Sequence, residues 1–534
     1  MENKEYDVVI IGGGQNGLIC SAYLARTGLD ILLLEARHET GGGLDTLEFC
    51  GHKYNLHAVY HMMAEVMPVY HDFNLKDKGV RYIYPEVQAA FLNKGHKPLV
   101  FYHDPSRTAD YLSLAFSKKD GESFTRMYTD FKEFSEKIVM PLTYVPAMPS
   151  LDVVMAFNTA KDDVGKRYNE MSELTPVEII EQYGFSSVVK AGLYNLFSMW
   201  GLSDYGGVGF LFPLYIYRML NAALCVGGSH RLSSSLHKVA SGIGVKIRDK
   251  AEVARVTMNN GRVNGVVLTD GTEIRAKAVV STVDPKQNFL SFFDEEQIPD
   301  DLVESAKNWE WEKATFFGTH VALKEAPNYI GSDDNEDVNK AMMVFNGIDD
   351  IDKILGHLEE VESGKLPETP LVHVTCTTLF DPLQAPRGYH TCRLETLVPF
   401  DCDWDNIKDD YGKKCIDTWK EYAPNIEPLH TLFYPPTYIE KKLKDMVRGS
   451  FKQGSYKTFQ IGYNRPNSDC SQVRTSIEGF YVCGASVNPG GMIIGGGGYI
   501  GANVIAEDFG VKKDWEEIES VKRARELGFI PEKL

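Results

Sequence analysis

Gly12, Gly14 and Gly17 stand in the spacing G-x-G-x-x-G, and Glu35 follows them by about the distance at which a carboxylate meets a ribose diol. That set can hold a dinucleotide: the glycines let main chain approach a pyrophosphate, and the acid accepts hydrogen bonds from sugar hydroxyls. Two histidines, His57 and His61, lie four residues apart in GHKYNLHAVYHMM. Imidazole at either position could move a proton near neutral pH. A metal site is not expected, because the pair lacks a third ligand and the Glu of H-E-x-x-H. The same two histidines read equally well as side chains bonded to backbone in a buried strand–helix corner. His230 and Arg231, in the Gly227–Gly228 turn, read as fold or phosphate contacts.

Short elements must present these residues. Tyr6 to Ile11 (YDVVII) is an apolar, β-branched run and reads as a buried parallel strand. Leu18, Ile19, Ala22, Tyr23 and Ala25 give the following segment helical periodicity, Gly28 stops it, and Asp30 to Leu34 makes a second strand that ends on Glu35. Strand, glycines, helix, strand and acid in that order predict a dinucleotide-binding unit. A second glycine cluster, Gly41 to Gly43, follows Glu35 closely and suits FAD, whose long pyrophosphate runs past the second strand.

The stretch EARHETGGGLDT resembles the E-x-R-x-x-x-G-G-R pattern of the FAD superfamily that contains amine oxidases, protoporphyrinogen oxidase and phytoene desaturases. Glu35, Arg37, Gly41 and Gly42 match it, and Gly43 stands where that family carries its final Arg. The resemblance continues through Gly227 to Pro285, where Val253 would read the adenine through its backbone. It resumes in EGFYVCGASVNPGGMIIGGGGYIGAN, which is similar to the ending of phytoene desaturases, with Gly484-Ala485 in place of the commoner Gly-Asp. There Gly484, Ala485, Gly491, Met492 and Ile493 would approach the flavin, and a helix beginning near Ile494 would aim its dipole at the N1–C2 carbonyl. Gly496, Gly498 and Gly501 also satisfy G-x-G-x-x-G, but the strand before them is too distant and no ribose acid follows, so no separate nicotinamide module is expected. His57 occupies a position near the flavin face where relatives usually have a small residue, which makes it the proton manager of choice with His61 as its support. Arg465-Pro466 matches a dipeptide recurrent in desaturase-like relatives; Arg465 would grip an anionic substrate group or, the preferred reading, tie two domains together.

What the resemblance implies is a non-covalently bound FAD and hydride transfer between a substrate C–C bond and flavin N5, a desaturase or dehydrogenase. Two alternatives stay open: a redox-neutral isomerase or hydratase needing reduced FAD, and a non-enzymatic binding protein like the guanine-nucleotide dissociation inhibitors. Net redox chemistry is favoured over the neutral alternative.

The expected fold is α/β: a discontinuous Rossmann-type FAD-binding domain (1–105, 215–290 and 440–510) with an inserted α+β substrate-binding domain (291–439) and a helical cap (106–214). Residues 511–534 are expected to add a C-terminal surface helix. A formal net charge of −18 over 534 residues argues against nucleic-acid partners. The nine cysteines show no C-x-x-C pair, and with no export signal in MENKEYD this points to a cytoplasmic, reducing compartment. No uninterrupted apolar run reaches membrane-spanning length; Val208 to Val226, broken by Pro213, Arg218 and Asn221, reads as a buried helix or a wall of the substrate chamber. A peripheral membrane contact stays open. The substrate is expected to be a small molecule, unsaturated or apolar in class. His52, Tyr54, His57, Tyr60 and His61 look too polar to line a carotenoid tunnel, which favours something smaller or more polar.

Overall fold

The computed structural model describes residues 4–532. Two seven-stranded sheets organise it. In the first, Lys246–Arg248, Ile31–Leu34, Glu5–Ile11, the end of Glu273–Ser281 and Phe480–Val482 run parallel, and the hairpin Val253–Asn259/Arg262–Leu268 adds to the antiparallel side. The parallel strands are apolar on both faces because helices cover both. Gly496–Asp508 packs against Gln15–Arg26 through Gly498 and against the end of the strand Phe480–Val482 through Gly501, and neither glycine has room for a side chain. A Cβ on Gly498 would lie 2.4 Å from the Asn16 carbonyl oxygen, and one on Gly501 2.7 Å from Cys483 Cβ. Glycines that mimic a second nucleotide loop thus serve helix packing. The turn at Asn260-Gly261 has both residues at positive φ (51° and 80°), the geometry that Asn-Gly supplies in two-residue hairpins.

The register places Leu34, Ile11, Ser281 and Val482 side by side at the carboxyl ends of their strands. Four loops leave this row together: Gly12–Gly14, Glu35–Gly43, the segment after Thr282, and Gly484–Gly495. A ligand crevice outside the carboxyl ends of parallel strands follows from that topology.

The second sheet runs Pro428–Tyr434, Ala314–Leu323, His390–Pro399, His373–Cys376, Ala341–Asn346, Val87–Leu92, Leu99–Tyr102. Its membership differs from the expected division in one place. Val87–Leu92 and Leu99–Tyr102, numbered within the span 1–105, belong to this sheet: Val87–Leu92 pairs in parallel with Ala341–Asn346, and Phe91 stacks on Phe345 with ring centroids 4.5 Å apart. Residues between 105 and 220 are mainly helical, and Leu211–Met219 is a buried helix. The final helix is Glu519–Leu527, with Val521 and Ala524 buried, while Trp515 reaches back to Tyr23 and donates from its indole to Asn503.

Candidate active site

A cavity of about 1220 Å³ opens at the carboxyl row and extends to the second sheet. Its floor is built from the two glycine loops. Gly41 N–H donates to the Gly13 carbonyl at 2.8 Å, and a Cβ on Gly42 would lie 3.2 Å from Gly14 Cα, so any side chain there would wedge the loops apart. Gly12 (φ 98°) makes the turn, and a Cβ on Gly17 would fall 1.9 Å from the Gly12 carbonyl oxygen. Gly14, Gln15 and Asn16, at the start of the first helix, line the cavity. Their amide ends are the anion-binding pole of that helix.

Glu35 is buried at this end. Its carboxylate accepts from Gly13 N–H at 2.9 Å and Arg37 N–H at 2.8 Å. Burial raises its pKa above the usual carboxylate range, and the two backbone bonds pull the other way. Arg37 donates to the Gly42 carbonyl (3.4 Å) and pairs with Glu39 at 2.7 Å. A Cβ on Gly43 would stand 2.8 Å from the flexible Met446 Cε and in ordinary contact, 3.9 Å, with His57 Cβ, so Met446 would have to shift for a side chain there. Val253 begins its strand two residues after Ala251, whose N–H donates to the Glu35 carbonyl at 2.8 Å. It is buried beside the ribose acid and is not among the cavity-lining residues.

Gly490 to Gly495 form the opposite wall with Ala485. Gly491 is fixed by its N–H bond to the Tyr456 hydroxyl (2.9 Å). Met492 and Ile493 both adopt left-handed backbone, φ 82° and 58°. A β-branched residue there costs on the order of 1–3 kcal/mol, and such strain concentrates where backbone groups must be aimed. Gly484 has no room for a Cβ, which would meet the Thr282 carbonyl oxygen at 2.2 Å. The helix that follows begins at Gly496, with Gly495 (φ 68°) as its N-cap and no side-chain cap, so its amide pole faces the cavity.

The residues fit FAD: paired glycine floors for a pyrophosphate, an acid for the ribose, and a strained wall with a helix pole for the ring system. Bound there, FAD supplies two-electron chemistry at its ring.

The two histidines part company. His57 is half-buried and lines the cavity, and both its ring nitrogens are buried without a hydrogen bond among the described residues. Burial, then the charges of Arg393 and Lys442, push its pKa well below the usual value, so the ring is neutral. His61 faces away; its nitrogens bond Ser229 Oγ (3.0 Å) and the Tyr82 hydroxyl (3.2 Å). It gives His57 no support. His52 and Tyr54 also turn from the cavity, to Thr391 (2.9 Å) and His430 (2.8 Å). The polar lining expected from that segment is therefore confined to His57 and Tyr60. Arg465 is wholly buried and donates to the carbonyls of Ala485, Ser455, Gln460, Lys452 and Gly454, tying the last nucleotide segment to the preceding loops. His230 N–H donates to Thr46 Oγ1 at 3.2 Å, a fold contact.

Beside Tyr60, the far wall holds residues that spacing alone did not reveal. Tyr60, Trp200, Phe316 and Phe451 make a continuous aromatic surface, with Phe316 stacked on Phe451 at 5.0 Å and Trp200 edge-on to Tyr60 at 6.2 Å. Arg393 and Glu395, two apart on His390–Pro399, point to the same face and both line the cavity. Arg393 donates to the carbonyls of Asn55 (2.8 Å) and His57 (3.0 Å) and forms an ion pair with Glu395, whose other oxygen lies 3.1 Å from His373 Nε2. The signal in sequence was charge at alternate positions of an otherwise apolar strand, CRLETLV. A second, mainly apolar cavity of about 990 Å³ lies behind Gly491, Met492 and Ile494, under the helix Leu211–Met219.

Among the described residues no helix is long and apolar enough to cross a membrane, and no group of three or more His, Cys, Asp or Glu is placed to hold a metal.

Comparison with known proteins agrees with this geometry. The chain is 39% identical to one of the subunits of limonene dehydrogenase from Castellaniella defragrans, over 99% of this chain and 100% of that one. It is 22% identical to a 4,4'-diaponeurosporene oxygenase of Staphylococcus aureus over 91% and 95% of the two chains. In fold it resembles a putrescine oxidase variant (TM-score 0.61, 12% identity, 95% of this chain and 99% of that one). It also resembles cyclohexylamine oxidase of Brevibacterium oxydans (TM-score 0.60, 14% identity, 95% and 100%). The family model for flavin containing amine oxidoreductases matches residues 17–496. The chain belongs to that family and is an FAD-dependent oxidoreductase.

Proposed function

We propose that the protein is a dehydrogenase of the desaturase-like kind, acting on a compact unsaturated hydrocarbon of the terpene class at an aliphatic C–H beside a double bond. The observation that carries this reading is the aromatic surface of Tyr60, Trp200, Phe316 and Phe451 in the cavity of a chain that matches a limonene dehydrogenase polypeptide along its whole length. An uncharged hydrocarbon has no group for a polar site to grip, so apolar walls must position it by shape and burial, at roughly 25 cal/mol per Å² of apolar surface removed from water. Arg393 and Glu395 neutralise one another, and Asp445, the other carboxyl of the lining, is bonded to Gln453 at 2.9 Å with its pKa raised by burial, which disfavours the charged form that would select an ammonium substrate. FAD takes up hydride when bound. Gly12, Gly14, Gly17, Glu35, Arg37, Gly42, Gly43, Val253, Gly484, Ala485, Gly491, Met492 and Ile493 hold it without a covalent link. The nine cysteines are free thiols, which supports a cytoplasmic location.

The test is anaerobic mixing of the yellow protein with limonene, with a phytoene-like polyene and with a primary amine, following the flavin absorbance. Bleaching by the cyclic monoterpene alone is expected. Faster bleaching by the polyene or the amine would replace this substrate class.

A further inference from the structure

Removing a hydride from carbon leaves a second problem, since forming a new C=C bond also requires loss of a proton from the neighbouring carbon. Three groups that could take a proton line the cavity, His57, Asp445 and Glu395, and their surroundings differ. Asp445 accepts from Gln453 Nε2 at 2.9 Å and has no ion pair among the described residues, and burial raises its pKa and favours its neutral form. His57 lies beside ion pairs, with no free anion to hold a proton: Arg393, which donates to its carbonyl, is paired with Glu395, and Lys442 and Arg37 are paired with Asp45. A proton on its ring would be a buried cation with no hydrogen-bond partner for either nitrogen among the described residues. Glu395 is 5% exposed, and the groups facing it are Arg393 on its own strand, His373 across the strand pair, and the Tyr60 hydroxyl. Gly318, opposite it on the other neighbouring strand, contributes no side chain. A carboxylate so paired stays ionised though buried.

We infer that Glu395 accepts the substrate proton and that His373 positions its carboxylate. This rests on the dehydrogenase reading above. In the step, one substrate C–H bond breaks and its electron pair leaves as hydride, which FAD held by the glycine loops would take up. The adjacent C–H bond gives its electron pair to the new C=C bond and its proton to a Glu395 oxygen. The substrate loses two electrons, the two that bound FAD would accept, and Glu395 becomes neutral. A carboxylate is a strong enough base because departure of hydride makes the neighbouring C–H bond acidic. The Arg393 guanidinium, still bonded to the Asn55 and His57 carbonyls, remains solvated by backbone after its partner is neutralised. His373 Nε2, at 3.1 Å, fixes the second oxygen and so the direction of the first.

The experiment uses the FAD-loaded protein. Glu395→Gln should keep its flavin and its quenching of Trp200 fluorescence by limonene, yet bleach at least about a hundredfold more slowly under anaerobic conditions. His373→Asn should slow bleaching less and leave binding alone. Pre-reduced wild type given the dehydrogenated product in D2O should place deuterium on the carbon that lost the proton, and Glu395→Gln should not. If Glu395→Gln is unstable, Glu395→Asp, which retains the ion pair but withdraws the carboxylate by one methylene, should show the same slow step. Bleaching and deuterium entry at wild-type rates in either variant overturn the assignment of Glu395 while leaving the substrate class standing. Wild type that no hydrocarbon bleaches overturns the substrate class and the proton step together.

Discussion

Glu35 and Glu395 are buried carboxylates on opposite sides of the glycine floor, Glu35 bonded to Gly13 beneath it and Glu395 on the far wall of the cavity, and their partners assign them different work. Glu35 is held by backbone N–H groups alone, and burial dominates its titration, driving its pKa up. At Glu395 burial also pushes up, but Arg393 and His373 together outweigh it and the pKa falls. A carboxylate bound to backbone is fixed in place and offers its remaining lone pairs to a ligand's hydroxyls, whereas one paired with a guanidinium stays charged where water is excluded. The nucleotide end therefore recognises, and the sheet end can do chemistry. The change with the largest expected effect removes the recognising end altogether. Gly17→Ala places a methyl where the Gly12 carbonyl oxygen stands, 1.9 Å away, and the loop cannot close over a pyrophosphate. Heat-released flavin per protein should drop below about a tenth of wild type, a loss of more than about 1.4 kcal/mol in binding at working concentrations. Full flavin content in this variant would show that the loop does not cradle the cofactor.

The two ends were also unequally legible in the sequence. Everything at the Glu35 end is local: strand, glycines, helix and acid lie within about 30 residues, and each is forced by backbone geometry that only glycine or an apolar run satisfies. The hairpins at Asn260-Gly261 and Asp270-Gly271 were readable for the same reason. The Glu395 end is assembled from strands far apart in sequence. Val87–Leu92 is buried on both faces, and an apolar run carries no mark of which sheet it will join; pairing with Ala341–Asn346 decided it. His57 and His61 looked like partners because four residues separate them. The chain between includes Tyr60–His61 paired to Ala223–Cys225, which turns His61 to Ser229 while His57 stays on the cavity wall. Arg393 and Glu395 did carry a local signal, since two opposite charges two apart in an apolar strand must share one face and must be paired.

A subtler break at the recognising end is Glu35→Ala. It deletes the ribose acceptor and frees the Gly13 and Arg37 amides. FAD affinity should fall by about 1.5–3 kcal/mol, the worth of hydrogen bonds to a charged group. Titration of the deflavinated protein with FAD reads it directly. Unchanged affinity would move the adenosine ribose away from Glu35.

His61 extends the comparison to stability. Burial depresses its pKa to about 4, against 6.5 ordinarily, so between those values the unfolded chain binds a proton that the folded chain does not. Stability from this residue is complete above pH 6.5 and is lost as pH falls toward 4. A shift of this size is worth about 3 kcal/mol. Asp284, raised by burial to about 6, works in the opposite direction, and His357, also near 4, in the same one. Their contributions cancel when wild type is compared with His61→Asn. Denaturant melts at pH 7 and pH 4 should show the variant's stability changing less with acid, by up to about 3 kcal/mol. Parallel curves would mean that His61 is protonated in the folded protein.

The smallest expected effect belongs to the residue that sequence marked most strongly for proton transfer. His57 faces the cavity, and a proton carrier in that position would leave a rate loss of about a hundredfold on removal. Its surroundings argue against that outcome. Both nitrogens lack partners among the described residues, the ring lies edge-on to Tyr434 at 5.5 Å, and burial together with the charges of Arg393, Lys442 and Arg37 disfavours its protonated form. Such a ring is an uncharged space-filler in the cavity wall. His57→Asn should therefore reduce FAD by substrate within about threefold of the wild-type rate, with the change falling on substrate affinity because a wall has been reshaped. The decisive measurement is the flavin-reduction rate at saturating substrate from pH 6 to pH 9. A variant slowed about a hundredfold across that range would transfer the proton from Glu395 to His57, and with it the distinction between the two carboxylates.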